Sequence, residues 1–329
     1  MDLSSFSDKT ILITGATGLI GRALVREILA FNRVSPSPIH IIACVRSRKK
    51  ALRLFGEDAE QLTLLVGDIR EVSFSGVRAD YMIHAAAQTS SRAFITDPVG
   101  TISTSIQGTE RLLQAAAEQK VSRILYLSTM EVYGIFRSDE KVDESHPSYL
   151  DTMSVRSSYP ESKRLCETLC TSYCSEFQVP VSVLRLTQTF GTGVDYDDGR
   201  VFAEFARCVI EGRDIVLKTK GETCRSYLDV DDAVSAIFTV LMKGGTGEAY
   251  NAANEETYCS IYEMARMVAE EIGGGRIRVR IEELEDNKEG YAPTLHMNLD
   301  TTKLKRLGWK PKTGLPEMYR KMIASMKES

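Results

Sequence analysis

Near the N-terminus an apolar run, Lys9-Thr10-Ile11-Leu12-Ile13-Thr14, breaks into Gly15-Ala16-Thr17-Gly18-Leu19-Ile20-Gly21, and a helical pattern continues to residue 31. A short apolar strand that ends in a glycine turn and passes straight into a helix leaves few possible folds. The strand is short enough to be buried on both faces, as in a parallel sheet. The glycines permit a tight turn, and the first helical turn carries backbone N–H groups with no partner in the helix. That edge suits a pyrophosphate, so Gly15, Thr17, Gly18, Leu19, Ile20 and Gly21 are candidate contacts of a dinucleotide. The spacing is GxxGxxG, and its weight comes from the strand before it and the helix after it.

The same alternation continues downstream. Strands are expected at 39–45, 62–66, 81–84, 124–128 and 181–186, with long helical patterns at 99–119 and 159–177. Strands alternating with helices predict an α/β protein with a Rossmann-like, doubly wound parallel sheet, whose ligands bind at the carboxyl ends of the strands. Beyond Phe190 the pattern loosens into a turn-rich stretch at 191–199, a helix at 201–211 and a helix at 230–242. An Asn-rich turn, another helix, a short strand at 277–281 and a C-terminal helix follow. The expected division is a dinucleotide-binding domain at 1–190, rejoined by 228–250, and a smaller mixed C-terminal substrate domain at 191–329, interleaved with it.

Composition narrows the partners. A net charge of −4 over 329 residues, with one local basic run at Arg46-Ser47-Arg48-Lys49-Lys50, gives no clustered basic face for nucleic acid. No run reaches membrane-spanning length, and acidic Asp2 with no apolar segment behind it argues against a secretory signal; the cytoplasm is the expected compartment. The seven cysteines show no spacing that suits zinc, and no metal is expected. Cys166, Cys170 and Cys174 recur every four residues along one helix face. A three-thiolate site is conceivable there, but small apolar residues against a packed neighbour explain the pattern more simply.

Two further places carry chemistry. The second strand ends Ala43-Cys44-Val45-Arg46, without the carboxylate that usually holds the adenosine ribose of NAD. A guanidinium suits a ribose 2′-phosphate, which favours NADP(H) over NAD, although a solvated basic turn has the same sequence. Asp68 and Ile69 close the third strand, where a carboxylate and a backbone amide could read adenine; a plain turn aspartate is the alternative. Farther on, Ser128-Thr129-Met130-Glu131 follows a strand end and Tyr159-Pro160-Glu161-Ser162-Lys163 opens a helix. Tyrosine and lysine four apart share a helix face, and a nearby ammonium would lower the phenol's pKa toward a working acid–base range.

These motifs together resemble the extended short-chain dehydrogenase/reductases, and within them the nucleotide-sugar epimerases, dehydratases and decarboxylases. The likeness runs nearly end to end through Gly15 to Gly21, His84-Ala85-Ala86-Ala87, Ser128-Thr129 with Val132-Tyr133-Gly134, Tyr159-x-x-x-Lys163, Arg185 to Gly191, Asp198 to Val201, Arg225-Ser226-Tyr227 and Lys303 to Pro311. The resemblance implies that Ala85, Ala86 and Ala87 lie beside the cofactor. Tyr159 would be the acid/base, Lys163 would bind the nicotinamide ribose and tune Tyr159, and Thr129 would hydrogen-bond the reacting hydroxyl. Gln188, Arg200 and Arg225 would contact the diphosphate of a nucleotide-linked sugar or polyol. It also implies a homodimer, paired through the helices at 99–119 and 159–177.

Closest in motif are the UDP-glucuronate decarboxylases, which share the Thr-x-Glu strand end. The 4,6-dehydratases place an aspartate where this chain has Met130, so net dehydration is disfavoured, while Glu131 is either a base or substrate orienter or a structural hydrogen-bond partner at the strand end. Relatives commonly carry asparagine at Ser105 and at Gln188, which suggests a retuned pocket. Three readings follow: an epimerase or decarboxylase that recycles its cofactor, an NADPH-dependent net reductase of a nucleotide-linked ketose or keto-sugar, and a noncatalytic dinucleotide sensor. The sensor is disfavoured because both Tyr159 and Lys163 are present. The long segment 135–158 is either a lid over the pocket or a surface loop.

Overall fold

The structure is a computed structural model that describes residues 1–283 and 294–328. Its strands, in chain order, are β1 (Thr10–Thr14), β2 (His40–Val45), β3 (Leu62–Val66), β4 (Tyr81–His84), β5 (Arg123–Thr129), β6 (Lys141–Val142), β7 (Val181–Leu186), β8 (Gln188–Phe190), β9 (Ile215–Leu217), β10 (Cys224–Asp229), β11 (Glu248–Ala252), β12 (Asn254–Ser260), β13 (Val279–Ile281) and β14 (His296–Leu299). The α-helices are α1 (Leu19–Asn32), α2 (Arg48–Phe55), α3 (Ala93–Thr96), α4 (Pro98–Gln119), α5 (Ser158–Phe177), α6 (Val201–Glu211), α7 (Val230–Lys243), α8 (Ile261–Met267), α9 (Thr302–Arg306) and α10 (Leu315–Lys327). Among the described residues, no helix is long and apolar enough to cross a membrane.

Seven parallel strands form the main sheet in the order β11-β7-β5-β4-β1-β2-β3. Alternate residues of each strand face opposite sides. Ile11, Ile13, Ile41, Ala43, Ile83, Leu125 and Leu127 pack with Leu24, Val25 and Ile28 of α1 and Ile237 and Leu241 of α7. Leu12, Ile42, Met82, Ile124 and Tyr126 pack on the other side with Leu112 and Leu113 of α4 and Cys166 and Cys170 of α5. Both faces are apolar, so these strands read as continuous hydrophobic runs. The strand order turns back at β1, between β2 and β4, and opens a crevice above their carboxyl ends. Gly15, Arg46, Asp68, Ala85 and Met130 all follow strand ends along that edge.

The second sheet draws on scattered pieces. β10 is its centre, antiparallel to β12 and parallel to β14 and β8, and β6 extends it beside β14. Its core stacks Phe190 on Phe202, with ring centroids 4.5 Å apart, and adds Tyr227, Met264, Tyr319 and Met322. The strand expected at 277–281 is β13, which pairs with β9 away from both larger sheets. Trp309 returns the C-terminal stretch to α7, donating to Ser235 Oγ at 2.8 Å.

Segment 135–158 is not a free lid over its whole length. β6 pins it to β14, the Glu144 carbonyl accepts from Arg185 at 3.0 Å, and Gly134 bridges to Tyr149. Tyr149, Met153 and Val155 stay exposed beyond those anchors.

Candidate active site

The glycine loop is held by steric necessity at two positions. Gly15 has φ +67°, and a Cβ there would lie 2.8 Å from both Ala85 O and Ala86 N. A Cβ on Gly21 would lie 2.2 Å from the Gly15 carbonyl oxygen. Helix α1 therefore starts pressed against its own loop and the end of β4. Gly18, its N-cap, has no side chain to cap the helix, so the first amides of α1 face the crevice without an internal partner. Leu19 packs toward the second core and Ile20 toward the first, which places this helix end at the junction of the two. An uncapped 14-residue helix meeting a backbone cradle too tight for a side chain fits the pyrophosphate of a dinucleotide.

Opposite the loop, Tyr159 sits in the first turn of α5, only 7% exposed. Its ring stacks on Phe94 of α3, with centroids 4.2 Å apart and planes within 7°. The Arg156 guanidinium lies 4.8 Å from the Phe94 centroid and donates to Glu131 Oε2 at 3.0 Å. Thr129 caps the short turn after β5, accepting from Glu131 N at 3.3 Å, and its hydroxyl stands beside the Tyr159 phenol. Burial raises the phenol above its usual range and Glu131 adds to the rise; Thr129, Arg156 and Arg200 pull in the other direction without overcoming it. Phenol, hydroxyl and carboxylate therefore meet at the carboxyl edge of the sheet, and the phenol holds its proton at neutral pH.

Lys163 departs from expectation. It shares the helix face of Tyr159, but its Nζ donates to Leu127 O at 2.8 Å and lies 4.6 Å from the Tyr126 ring centroid. Burial brings the amine down to about 8. The lysine is thus committed to the strand end, and the phenol is raised rather than lowered. Beneath it, His84 is 2% exposed and fully bonded: its ring nitrogens meet Thr14 Oγ1 at 2.7 Å and Thr109 Oγ1 at 3.1 Å. Thr109 gives its proton to Ser105 O at 2.6 Å, so it accepts from His84 Nε2. Thr14 Oγ1 accepts from Ala86 N at 3.1 Å and gives its own proton to His84 Nδ1. The network accommodates a neutral imidazole with its proton on Nε2.

Comparison with known proteins settles the family. The family model described as "NAD dependent epimerase/dehydratase family" matches residues 11–253. UDP-glucuronic acid decarboxylase 6 of Arabidopsis thaliana is 30% identical over 94% of this chain and 87% of that protein. The chain belongs to the NAD-dependent epimerase/dehydratase family. Its fold matches a UDP-glucose 4-epimerase crystallised with UDP-glucose, from Thermotoga maritima, with a TM-score of 0.83 at 22% identity over 97% of this chain and 99% of that one. It also matches a UDP-glucuronic acid 4-epimerase of Bacillus cereus in complex with NAD, with a TM-score of 0.79 at 22% identity over 97% and 99% of the two chains.

As an enzyme of the NAD-dependent epimerase/dehydratase family, the chain places its remaining candidate residues unevenly. Gln188 and Arg225 come together, the Gln188 side-chain oxygen accepting from Arg225 at 3.3 Å. Arg200, which precedes α6, is close enough to Tyr159 to act on its charge, but its guanidinium is engaged by Asp198, with Nε 2.9 Å from Oδ1. Asp68 is likewise engaged: Arg70, with lesser help from Arg46, holds its carboxyl down to about 2. Arg46 itself is exposed, and the Ile69 side chain is buried against Gly108. Ser105 turns its hydroxyl back onto Thr101 O at 3.0 Å. Cys166 and Cys170 are core residues and, among the described residues, the three helical cysteines form no donor cluster. Phe94 and Arg156 flank Tyr159, and Phe94 was not singled out from the sequence. α3 is only four residues long, too short to show a period, although Arg156 stands three residues before the tyrosine.

Proposed function

We propose that this enzyme acts on a nucleotide-activated sugar or polyol by reversible hydride transfer at a carbinol carbon, with Tyr159 exchanging the hydroxyl proton. The observation that carries the reading is the meeting of the Tyr159 phenol, the Thr129 hydroxyl and the Glu131 carboxylate beside the glycine cradle at the strand ends. Gly15 to Gly21 would hold the pyrophosphate of a nicotinamide dinucleotide, and Arg46 and Asp68 its adenosine; the cofactor would supply the hydride acceptor and donor. Thr129 orients the reacting hydroxyl. Tyr159, protonated at neutral pH, serves first as the acid in the reducing direction. To serve as a base it needs more positive charge than Arg156 and Arg200 supply, and Lys163, on the same helix face, would add it once released from Leu127 O. Arg225 with Gln188, and Arg200 once shared with Asp198, would hold a diphosphate through charge-assisted hydrogen bonds.

Nucleotide sugars are the substrates named for the relatives, which supports the substrate class. Met130 is buried, with its Sδ 3.3 Å from a Thr187 hydroxyl that donates to Ser226 O, so no acid occupies its place to protonate a departing hydroxyl. Internal redox recycling, as an epimerase or decarboxylase, is the first reading. The exposed Arg46 favours a second, NADPH-dependent net reduction of a keto-sugar. The purified enzyme is incubated with UDP-sugars and UDP-keto-sugars plus NAD(H) or NADP(H). Sugar product without net change at the nicotinamide band supports recycling, stoichiometric NADPH loss supports reduction, and neither with any of them defeats the proposal. A cytoplasmic homodimer is proposed alongside, the exposed Val99 and Ile102 of α4 and Leu165 of α5 forming its apolar contact; light scattering tests it.

A further inference from the structure

Away from Tyr159, the second sheet gathers three side chains of another chemistry. Cys224 opens β10 and His296 opens β14, and the two stand opposite each other in the parallel ladder. Asp139 comes from the loop before β6 and is tied to the same strand from two sides. Its carbonyl accepts from Asn298 Nδ2 at 3.0 Å, and His296 N donates to Phe136 O at 2.8 Å. One potential donor atom each of Asp139, Cys224 and His296 lies within 4.8 Å of the others.

We propose that Asp139, Cys224 and His296 form a divalent-metal site of the zinc class. A tetrahedral ion with bonds of about 2.0–2.3 Å sets its ligand atoms about 3.6 Å apart, so the widest pair must draw in by about 1 Å while His296 and Asp139, now hydrogen-bonded at 2.7 Å, open around the ion. Two strands in fixed register and one short loop can supply that by side-chain rotation alone. A thiolate, an imidazole and a carboxylate together select a borderline-soft ion such as Zn²⁺ over Mg²⁺ or Ca²⁺, which take oxygen. Three protein donors leave one position for water. Outer support is already in place, since Tyr258 donates to Asp139 Oδ1 at 2.5 Å, as a phenol behind a ligating carboxylate would. The thiol has only a 3.4 Å contact to Glu222 O to give up. Side chains alternate along β10, so Arg225 points to the opposite face, and the site stands apart from the proposed diphosphate contacts.

The geometry also admits a plain His–Asp hydrogen bond, as His296 Nδ1 lies 2.7 Å from Asp139 Oδ1. Titration separates the two. The full chain, stripped with a chelator, is titrated with Co²⁺ as the spectroscopic probe, then with Zn²⁺ in competition. The site predicts a thiolate-to-cobalt charge-transfer band that saturates at about one equivalent, yields to Zn²⁺ and ignores Mg²⁺. Cys224→Ser should abolish the band, and Asp139→Asn and His296→Gln should each weaken cobalt binding at least about tenfold. No saturable binding by the unaltered chain, or an undiminished band in Cys224→Ser, overturns the proposal. Should Cys224→Ser fail to fold by its thermal transition, Asp139→Asn decides, and unchanged affinity there also overturns it.

Discussion

His84 makes the buried polar network beneath Tyr159 measurable without a substrate. Burial lowers its imidazole from the ordinary 6.5 to about 3, and the nearby Lys163 ammonium adds to the depression. A proton on Nδ1 would face the Thr14 hydroxyl, which already accepts from Ala86 N and would have to give up its donated bond. The folded state thus takes up that proton only near pH 3, while the unfolded chain takes it up near 6.5, so the unfolded state binds more protons between those values. Stability from this group is complete above pH 6.5 and is lost as pH falls. At pH 5 the loss is about 2 kcal/mol, from roughly 1.5 pH units at about 1.36 kcal/mol each, and it approaches about 5 kcal/mol near pH 3. His84→Gln keeps a donor and an acceptor but does not titrate, so its own cost is independent of pH. Urea unfolding of both proteins at pH 8 and pH 5 should show the advantage of the histidine protein shrinking by about 2 kcal/mol on acidification. Parallel profiles, with the gap unchanged, would refute a neutral, desolvated His84.

Three other substitutions probe the site directly. Gly21→Ala drives a methyl into the Gly15 carbonyl, so the thermal midpoint should drop with a destabilisation of about 1–3 kcal/mol and nicotinamide dinucleotide affinity, read by fluorescence titration, should fall with it. Phe94→Ala removes the ring stacked on Tyr159 and should cost about 3 kcal/mol in denaturant unfolding, together with a lower kcat once a substrate is in hand. Arg46→Ala should weaken NADP(H) binding far more than NAD binding by titration; equal effects on both would remove the argument for the phosphorylated cofactor.

The glycine loop and six of the seven strands of the main sheet were legible because their signals are local; the edge strand β11 (Glu248–Ala252) was not, since its Asn251 made the stretch read as a turn. Strands buried on both faces and the turn at Gly15 to Gly21 declare themselves in a few adjacent residues. The second sheet was not, because β6, β8, β10, β12 and β14 are two to seven residues long and drawn from 141 to 299, so no window of sequence contains the ladder. Pairing hid the state of several site residues. Arg200 was expected at the substrate diphosphate, with a surface ion pair as the alternative, and Asp198, two residues earlier, engages it; an Asp-Gly-Arg turn could have signalled as much. The Tyr159–Lys163 spacing gave the shared helix face but not the Leu127 carbonyl that takes the amine. The trio Asp139, Cys224 and His296 spans more than 150 residues, and no spacing rule reaches it.

The central claim is that the Tyr159 phenol moves the proton while hydride moves. Stopped-flow measurement of nicotinamide absorbance, with the sugar nucleotide that turns over, compares the enzyme with Tyr159→Phe at equal cofactor saturation. The account predicts a hydride-transfer rate lower by about 10²–10⁴-fold with dinucleotide affinity nearly unchanged. A Tyr159→Phe protein that transfers hydride at the original rate would contradict it.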